Sequence, residues 1–290
     1  MAKLKGSVIL SLILLLPFLT FTPSAANAQT GYNPEFLGNA APAPRPGFSP
    51  KIFFDYFNRN EISGHDIEVA FEPQYWIRGF TGDKANDYIQ FLTHIPFGYR
   101  AQDGATATEK GWGLGSINAN IEHFWKIYES DSAVWHFDNG LSGAFPTAMG
   151  RQNIRIGGNS YVVSWFQENF IKIDKLMMSI SPISVTYVFQ DSKTNITPGL
   201  ALNIMNSAYG YMITDSIALG VTTSYQLGNL LGSDDGTGAR LNKTQRLYLG
   251  PATCISFKNE SSLQISIMVD TFTKNITRGQ GVAFAYWKMF

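Results

Sequence analysis

From residue 50 to residue 290 the chain is a succession of segments in which apolar and polar residues alternate. In 214–227, Ile217, Leu219, Val221, Thr223 and Tyr225 fall on one face, and Ala218, Gly220, Thr222, Ser224 and Gln226 on the other. In 261–272, Leu263, Ile265, Ile267 and Val269 oppose Gln264, Ser266, Met268 and Asp270. Ile67, Val69 and Phe71 oppose Glu68, Ala70 and Glu72, while Ile117, Ala119 and Ile121 oppose Asn118, Asn120 and Glu122. A β-strand sends successive side chains to opposite faces, so this period of two predicts strands with one apolar and one polar side. No segment carries a capped 3.6-residue period, and no long helix is expected. The segments are 50–58, 65–77, 87–99, 113–127, 132–145, 159–171, 177–189, 198–211, 214–227, 244–257, 261–272 and 279–290.

A sandwich would turn the apolar faces inward, whereas a membrane barrel turns them to lipid and the polar faces to a lumen. Loop lengths favour the barrel. Alternate connections are tight: Glu129-Ser130-Asp131, Lys172-Ile173-Asp174-Lys175, Thr214-Asp215 and Lys258-Asn259-Glu260. The intervening ones (100–112, 146–158, 190–197, 228–243 and 273–278) are longer, as bacterial barrels have short periplasmic turns and long outer loops. The connections 59–64 and 78–86 depart from that rule. The expected fold is all-β: a single transmembrane antiparallel up-and-down β-barrel of about 12 strands, with both termini periplasmic.

The N-terminus agrees. Lys3 and Lys5 precede an apolar run, Val8 to Phe21, and then Ala26-Asn27-Ala28, the order of a secretory signal peptide with an A-x-A cleavage site. The run falls short of the roughly 20 apolar residues of a spanning helix. The expected organisation is a signal peptide at 1–28, an extended Pro-rich periplasmic lead-in at 29–49 and an outer-membrane barrel at 50–290. The lead-in could also plug the lumen. Charged residues make up only 15% of the chain, against roughly 25% in soluble domains. With 22 basic and 22 acidic residues there is no argument for a nucleic-acid partner. The single Cys254 excludes an intramolecular disulfide framework and a thiolate metal cluster.

The last segment alternates Val282, Phe284, Tyr286, Lys288 and Phe290. Ending on Phe, it resembles the signal by which barrel proteins are recognised for outer-membrane insertion, with Val282, Phe284, Tyr286 and Phe290 carrying it. Lys288 departs from the series, and its long side chain can snorkel to water. Gly111-Trp112-Gly113-Leu114-Gly115-Ser116, with the strand Ile117 to Lys126, resembles the glycine-rich strand entry of the outer-membrane transporter family named for the MetA pathway of phenol degradation. Ser116 stands where that family usually has an acid. Phe145-Pro146-Thr147-Ala148 resembles its Pro-Thr-Gly, with Ala148 in the glycine position, and Leu249-Gly250-Pro251 also fits. The resemblance implies a barrel that passes aromatic or other hydrophobic small molecules.

Candidate lumen residues are Glu68, Glu72, Asn118, Asn120, Glu122, Gln226, Gln264 and Asp270, because ionisable groups face hydrocarbon only at high cost. They either line a path or form a hydrogen-bonded filling. Phe53, Phe54, Tyr56, Phe57, Tyr75, Trp76, Phe80, Trp125, Tyr128, Trp135, Phe137, Tyr286 and Trp287 are expected mostly in interfacial girdles, a few in an apolar ligand site. No catalytic residue is expected. The four histidines, His65, His94, His123 and His136, lack the His-x-Ser-Asn context of outer-membrane phospholipases, and they share no metal-ligand spacing. Ser233-Asp234-Asp235-Gly236 reads as a mobile outer loop rather than a Ca²⁺ site. The expected function is passive outer-membrane uptake of small hydrophobic or aromatic solutes, with no cofactor and no metal. Expected partners are outer-membrane lipid, lipopolysaccharide and the barrel-assembly machinery. The alternatives are a closed-lumen structural or surface-interaction barrel and, third, a phospholipase-type enzyme.

Overall fold

A computed structural model describes residues 46–59, 64–80, 87–103, 108–147, 159–192, 194–258, 261–276 and 278–288. The signal peptide, most of the lead-in with its suggested plug, and Phe290 lie outside the described residues. The strands are β1 (Gly47–Arg59), β2 (Gly64–Arg78), β3 (Asp87–Asp103), β4 (Thr108–Leu114), β5 (Ile117–Glu129), β6 (Ala133–Phe145), β7 (Val162–Ile173), β8 (Leu176–Val188), β9 (Ile196–Thr197), β10 (Gly199–Thr214), β11 (Ile217–Gly228), β12 (Ser233–Asp234), β13 (Ala239–Arg240), β14 (Thr244–Phe257), β15 (Ser261–Lys274) and β16 (Gly279–Lys288).

Neighbours in the main sheet run antiparallel in the order β2-β1-β16-β15-β14-β11-β10-β8-β7-β6-β5-β3, and β2 pairs back onto β3. The first strand meets the last from Lys51↔Trp287 to Arg59↔Gly279, which closes the sheet on itself. β4 and β5 both pair with β3, so they are two pieces of one strand, and the barrel has twelve. Closure removes the edge strands whose unpaired backbone groups hydrocarbon would not tolerate.

The break between β4 and β5 has a sequence cause. It faces Pro96, which has no N–H to donate to the ladder. Gly115 N instead donates to Pro96 O at 2.8 Å. Thr147 repairs the rest: its Oγ1 donates to Gly115 O at 3.0 Å and accepts from Ile117 N at 2.8 Å. The glycine-rich entry and the Pro146-Thr147 pair are therefore one structural unit.

The barrel is inside out relative to a soluble protein. Ile52, Phe54, Val69, Phe71, Phe91, Phe97, Ile121, Leu141, Val163, Leu219, Val221, Leu249, Ile267 and Val269 are exposed on its outer wall. Asp138, Thr222, Ser262, Gln264 and Ser266 are fully buried on its inner wall. Two inner-wall glycines are required by close approach: a Cβ on Gly220 would stand 1.9 Å from Tyr209 O, and one on Gly250 1.5 Å from Ile267 O. β14 and β15 shift register at Leu247/Tyr248, and such bulges bend a wall that must close.

Three expectations are corrected. Residues 100–112 do not form a long loop, because β3 runs on to Asp103 and β4 begins at Thr108. The ring of Trp112 lies 5.0 Å from that of Tyr99 and 5.9 Å from that of Phe97, an aromatic cross-strand cluster that extends the hairpin through its glycines. The first strand starts at Gly47, inside the proposed lead-in. Residues 233–236, read as a mobile loop, lie in a segment that supplies two strands of a three-stranded sheet, in which β12 pairs with both β13 and β9 of the 190–197 connection.

That small sheet hinges on two aspartates. Asp234 Oδ1 accepts Gly236 N at 3.0 Å, the local turn that aspartate favours. Asp235 accepts Ser233 Oγ at 2.6 Å, Thr197 Oγ1 at 2.8 Å and Gln190 Nε2 at 3.0 Å, tying two loops together. The Ser233 and Thr197 hydroxyls, then the Gln190 amide, hold its carboxyl below the usual 3.8. A carboxyl lowered on folding stabilises the folded loops above its unfolded pKa, and that contribution is lost as pH falls through the lowered value. Amide protection, measured against the intrinsic exchange rate at each pH, is expected to be high in 194–197 and 233–240 at neutral pH and to be lost as the pH falls below the usual aspartate range. Asp235→Asn should show low protection at both; protection equal to the parent's at neutral pH would show that the carboxylate does not hold the sheet.

Candidate functional site

The functional surface of a barrel in lipid is its interior. All eight sequence-predicted lumen residues stand on inward positions. Glu68, Glu72, Glu122, Gln264 and Asp270 are buried there, while Asn118, Asn120 and Gln226 keep partial exposure. The structure divides them among separate groups.

The first group centres on His94 in β3. Its Nδ1 lies 2.6 Å from Glu72 Oε1 and its Nε2 3.4 Å from Glu68 Oε1. Lys51 Nζ completes it, 3.4 Å from Glu72 Oε2 and 4.8 Å from the centre of the Phe53 ring. Period two on β2 puts Glu68 and Glu72 on the same wall, and the β2–β3 register brings His94 between them. Toward the loops, Arg100 donates from Nε to Asp66 Oδ1 at 2.7 Å and from Nη2 to Oδ2 at 3.3 Å, a two-pronged ion pair.

The second group holds the seam near the C-terminus. Arg246 Nε donates to Asp270 Oδ1 at 2.6 Å, and Gly279 N donates to Asp270 Oδ2 at 2.8 Å. The Arg246 guanidinium lies 4.7 Å from the Phe57 ring and 5.9 Å from that of Tyr248. Gln264 Nε2 donates to Ser266 Oγ at 3.1 Å.

The third group is acidic. Asp138 faces Glu168 directly across the β6–β7 ladder, and Glu122 stands on the diagonal, since Phe124 is Asp138's partner on β5. Asn120 Nδ2 donates to Glu122 Oε1 at 3.2 Å and Ser179 Oγ to Glu168 Oε1 at 3.0 Å. Aromatic rings surround these acids. Phe124 lies 4.8 Å from Trp76 and stacks on Phe170 at 6.0 Å. Phe166 fills the space over Gly140, where an added Cβ would stand 2.3 Å from the ring.

The aromatic girdle therefore loses members. Phe53, Phe57, Trp76 and Trp287 are buried on the inner wall, while Phe54, Tyr75, Phe80, Tyr128 and Tyr286 are exposed. Phe284 meets Phe54 at 5.8 Å on the outer wall. Polar side chains that face outward on β6 and β7 are answered locally: Trp165 Nε1 donates to Asn139 Oδ1 at 2.6 Å and Trp135 Nε1 to Asn169 Oδ1 at 3.0 Å. His123 pairs with Asp87 and lies against Trp125, and His65 lies between Tyr56 and Tyr99.

Sequence reading did not single out Lys51, Asp66, Arg100, Asp138, Glu168 and Arg246 as lumen residues, and it took His94 only as one of four isolated histidines. On β1 the inner face reads Lys51, Phe53, Asp55, Phe57, so charge and aromatic alternate within one face and blur the period. Residue parity, counted from the clear outward positions Ile52 and Phe54, is the signal that finds them.

A closed twelve-strand barrel with an apolar outer wall and a polar interior defines an outer-membrane β-barrel. The chain belongs to the family described as "Putative MetA-pathway of phenol degradation", which matches residues 73–286. It is similar to the COG4313 outer membrane channel from Pseudomonas putida F1, with a TM-score of 0.70 and 10% identity over 88% of this chain and 99% of that one. It is also similar to the β domain of the Bordetella autotransporter BrkA, with a TM-score of 0.50 and 10% identity over 84% of this chain and 99% of that one. None of the curated proteins matches.

Proposed function

We propose that this barrel is a channel for passive uptake of small aromatic or other hydrophobic compounds across the outer membrane. The observation that carries the reading is the amphipathic interior, in which Trp76, Phe124, Phe166 and Phe170 stand beside Glu122, Asp138 and Glu168 on one inner wall. A ring system can slide along aromatic faces while its polar substituents exchange hydrogen bonds with the acids. The family's description points to phenols, and its structural relative is named as a channel.

Proteoliposome swelling tests this with 4-hydroxybenzyl alcohol and arabinose, solutes of similar size, against protein-free liposomes. The expected result is protein-dependent swelling that is faster for the aromatic alcohol. Swelling equal to the protein-free control for both solutes would overturn the proposal. It would favour a closed structural barrel, a reading supported by the complete burial of Tyr248, Ser262 and Gln264 on the inner wall.

A further inference from the structure

Above β14, β15 and β16 the apolar outer wall gives way to positive charge. Leu249, Val269 and Phe272 stand on that wall, 48%, 39% and 45% exposed. Leu247 pairs with Phe272 and Gln245 with Lys274, so Lys274 is the next outward position beyond the last apolar pair. This end of the barrel carries the longer connections, the outer side of such a fold.

Two hydrogen bonds gather three cations here. Asn275, in the left-handed region at φ 56°, turns the corner from β15 toward β16. Its Nδ2 donates to Lys243 O at 2.8 Å and ties the β13–β14 connection to that corner. Arg278 donates from Nη2 to Thr271 O at 2.9 Å, which turns its guanidinium back along β15 and leaves further N–H donors for a ligand.

Lys243, Lys274 and Arg278 are exposed, and among the described residues none of them meets a carboxylate. Lys51, Arg100, Lys126 and Arg246 each do. Residues 241–250 and 271–280 include no Asp or Glu. Asp270 is held on the inner wall by Arg246 and Gly279, and Asp234 and Asp235 are engaged within the small sheet.

We propose that this rim is a docking surface for lipopolysaccharide of the outer leaflet, with Lys243, Lys274 and Arg278 holding a phosphate of its disaccharide headgroup. Its phosphates lie at the hydrocarbon boundary, the height at which Lys274 follows Phe272. Its acyl chains would run down the wall over Phe272, Val269 and Leu249. Arginine presents forked N–H donors to phosphate, and lysine a compact charge beside them. A phosphate monoester carries about −1.5 to −2 charge at neutral pH. A singly charged glycerophospholipid would leave most of the rim's charge unanswered.

The rim lies outside the lumen, so its ligand does not depend on flux. Native mass spectrometry of the refolded full-length barrel in detergent tests it, with bisphosphorylated lipid A, lipid A stripped of its phosphates and dimyristoyl phosphatidylglycerol. The phosphorylated lipid is expected to bind at least about ten-fold more tightly than either of the others. Lys243→Gln, Lys274→Gln and Arg278→Gln should each weaken it about five-fold and leave the phosphate-free lipid unchanged. Lys175→Gln, an exposed position at the tight-turn end, should weaken neither. All four side chains are exposed, so the variants should keep the heat-modifiable gel migration of a folded barrel, and Lys243→Gln leaves both rim hydrogen bonds in place. Equal affinity for phosphorylated lipid A and either other lipid, or unchanged affinity in the rim variants, would overturn the docking surface. A loss with Lys175→Gln as large as that with Lys274→Gln would overturn its placement at the rim.

Discussion

Arg246→Met is expected to destabilise the folded barrel by about 3–5 kcal/mol, the usual cost of stranding one member of a buried ion pair. Arg246 and Asp270 have 3% and 0% of their side chains exposed, and their contact is 2.6 Å. Without the guanidinium, Asp270 keeps the 2.8 Å hydrogen bond from Gly279 N but loses its counter-charge. The stacking of the guanidinium on Phe57 would vanish as well. The double variant Arg246→Met with Asp270→Leu should recover most of the loss, because it removes both charges rather than one. Reversible urea unfolding from phospholipid vesicles measures this. A loss below about 1 kcal/mol in the single variant would show that lumen water screens the pair.

The second large effect separates the two walls of one strand. Val221 lies on the outer wall near mid-height of β11, 44% exposed, between Tyr209 and Pro251. Val221→Arg should cost about 2–4 kcal/mol, the range for a basic side chain facing the bilayer midplane. Gln226→Lys, on the same strand but the inner wall, should change stability by less than about 1 kcal/mol. The same unfolding assay compares them. Equal effects would mean that the outward face of β11 is not in hydrocarbon.

Much of this fold was legible in the residues. β11 and β15 announce themselves because lipid demands an apolar face along most of the span, so Leu219, Val221, Ile265 and Ile267 alternate against small polar residues. β1, β6 and β7 are harder to read. The inner wall accepts both charge and rings, as with Lys51 beside Phe53. The outer wall accepts Asn139 and Asn169 where a tryptophan N–H answers each. The overestimated loop at 100–112 has a similar origin: Gly111 and Gly113 look like turn residues, yet Phe97, Tyr99 and Trp112 hold them in a ladder. Residues 233–240 look loose because Asp, Gly and Ser are turn formers, and only contact with Gln190 and Thr197 orders them.

By itself the sequence determined the strand number and the face on which most side chains stand, since a period of two is local and depends on neighbours along the chain. The tertiary structure decided which inward residues meet. Arg100 and Asp66 are 34 residues apart, and Arg246 and Asp270 are 24 apart. Glu122, Asp138 and Glu168 come from three different strands. Their meeting depends on register, which is set by turn length, by bulges such as those at Gln167/Asn169 and Ile204/Ser207, and by the closing pair of β1 with β16. A shift of one residue would keep a strand's alternation and turn its whole polar face to lipid, so closure of the barrel selects the one register in which these groups share the lumen.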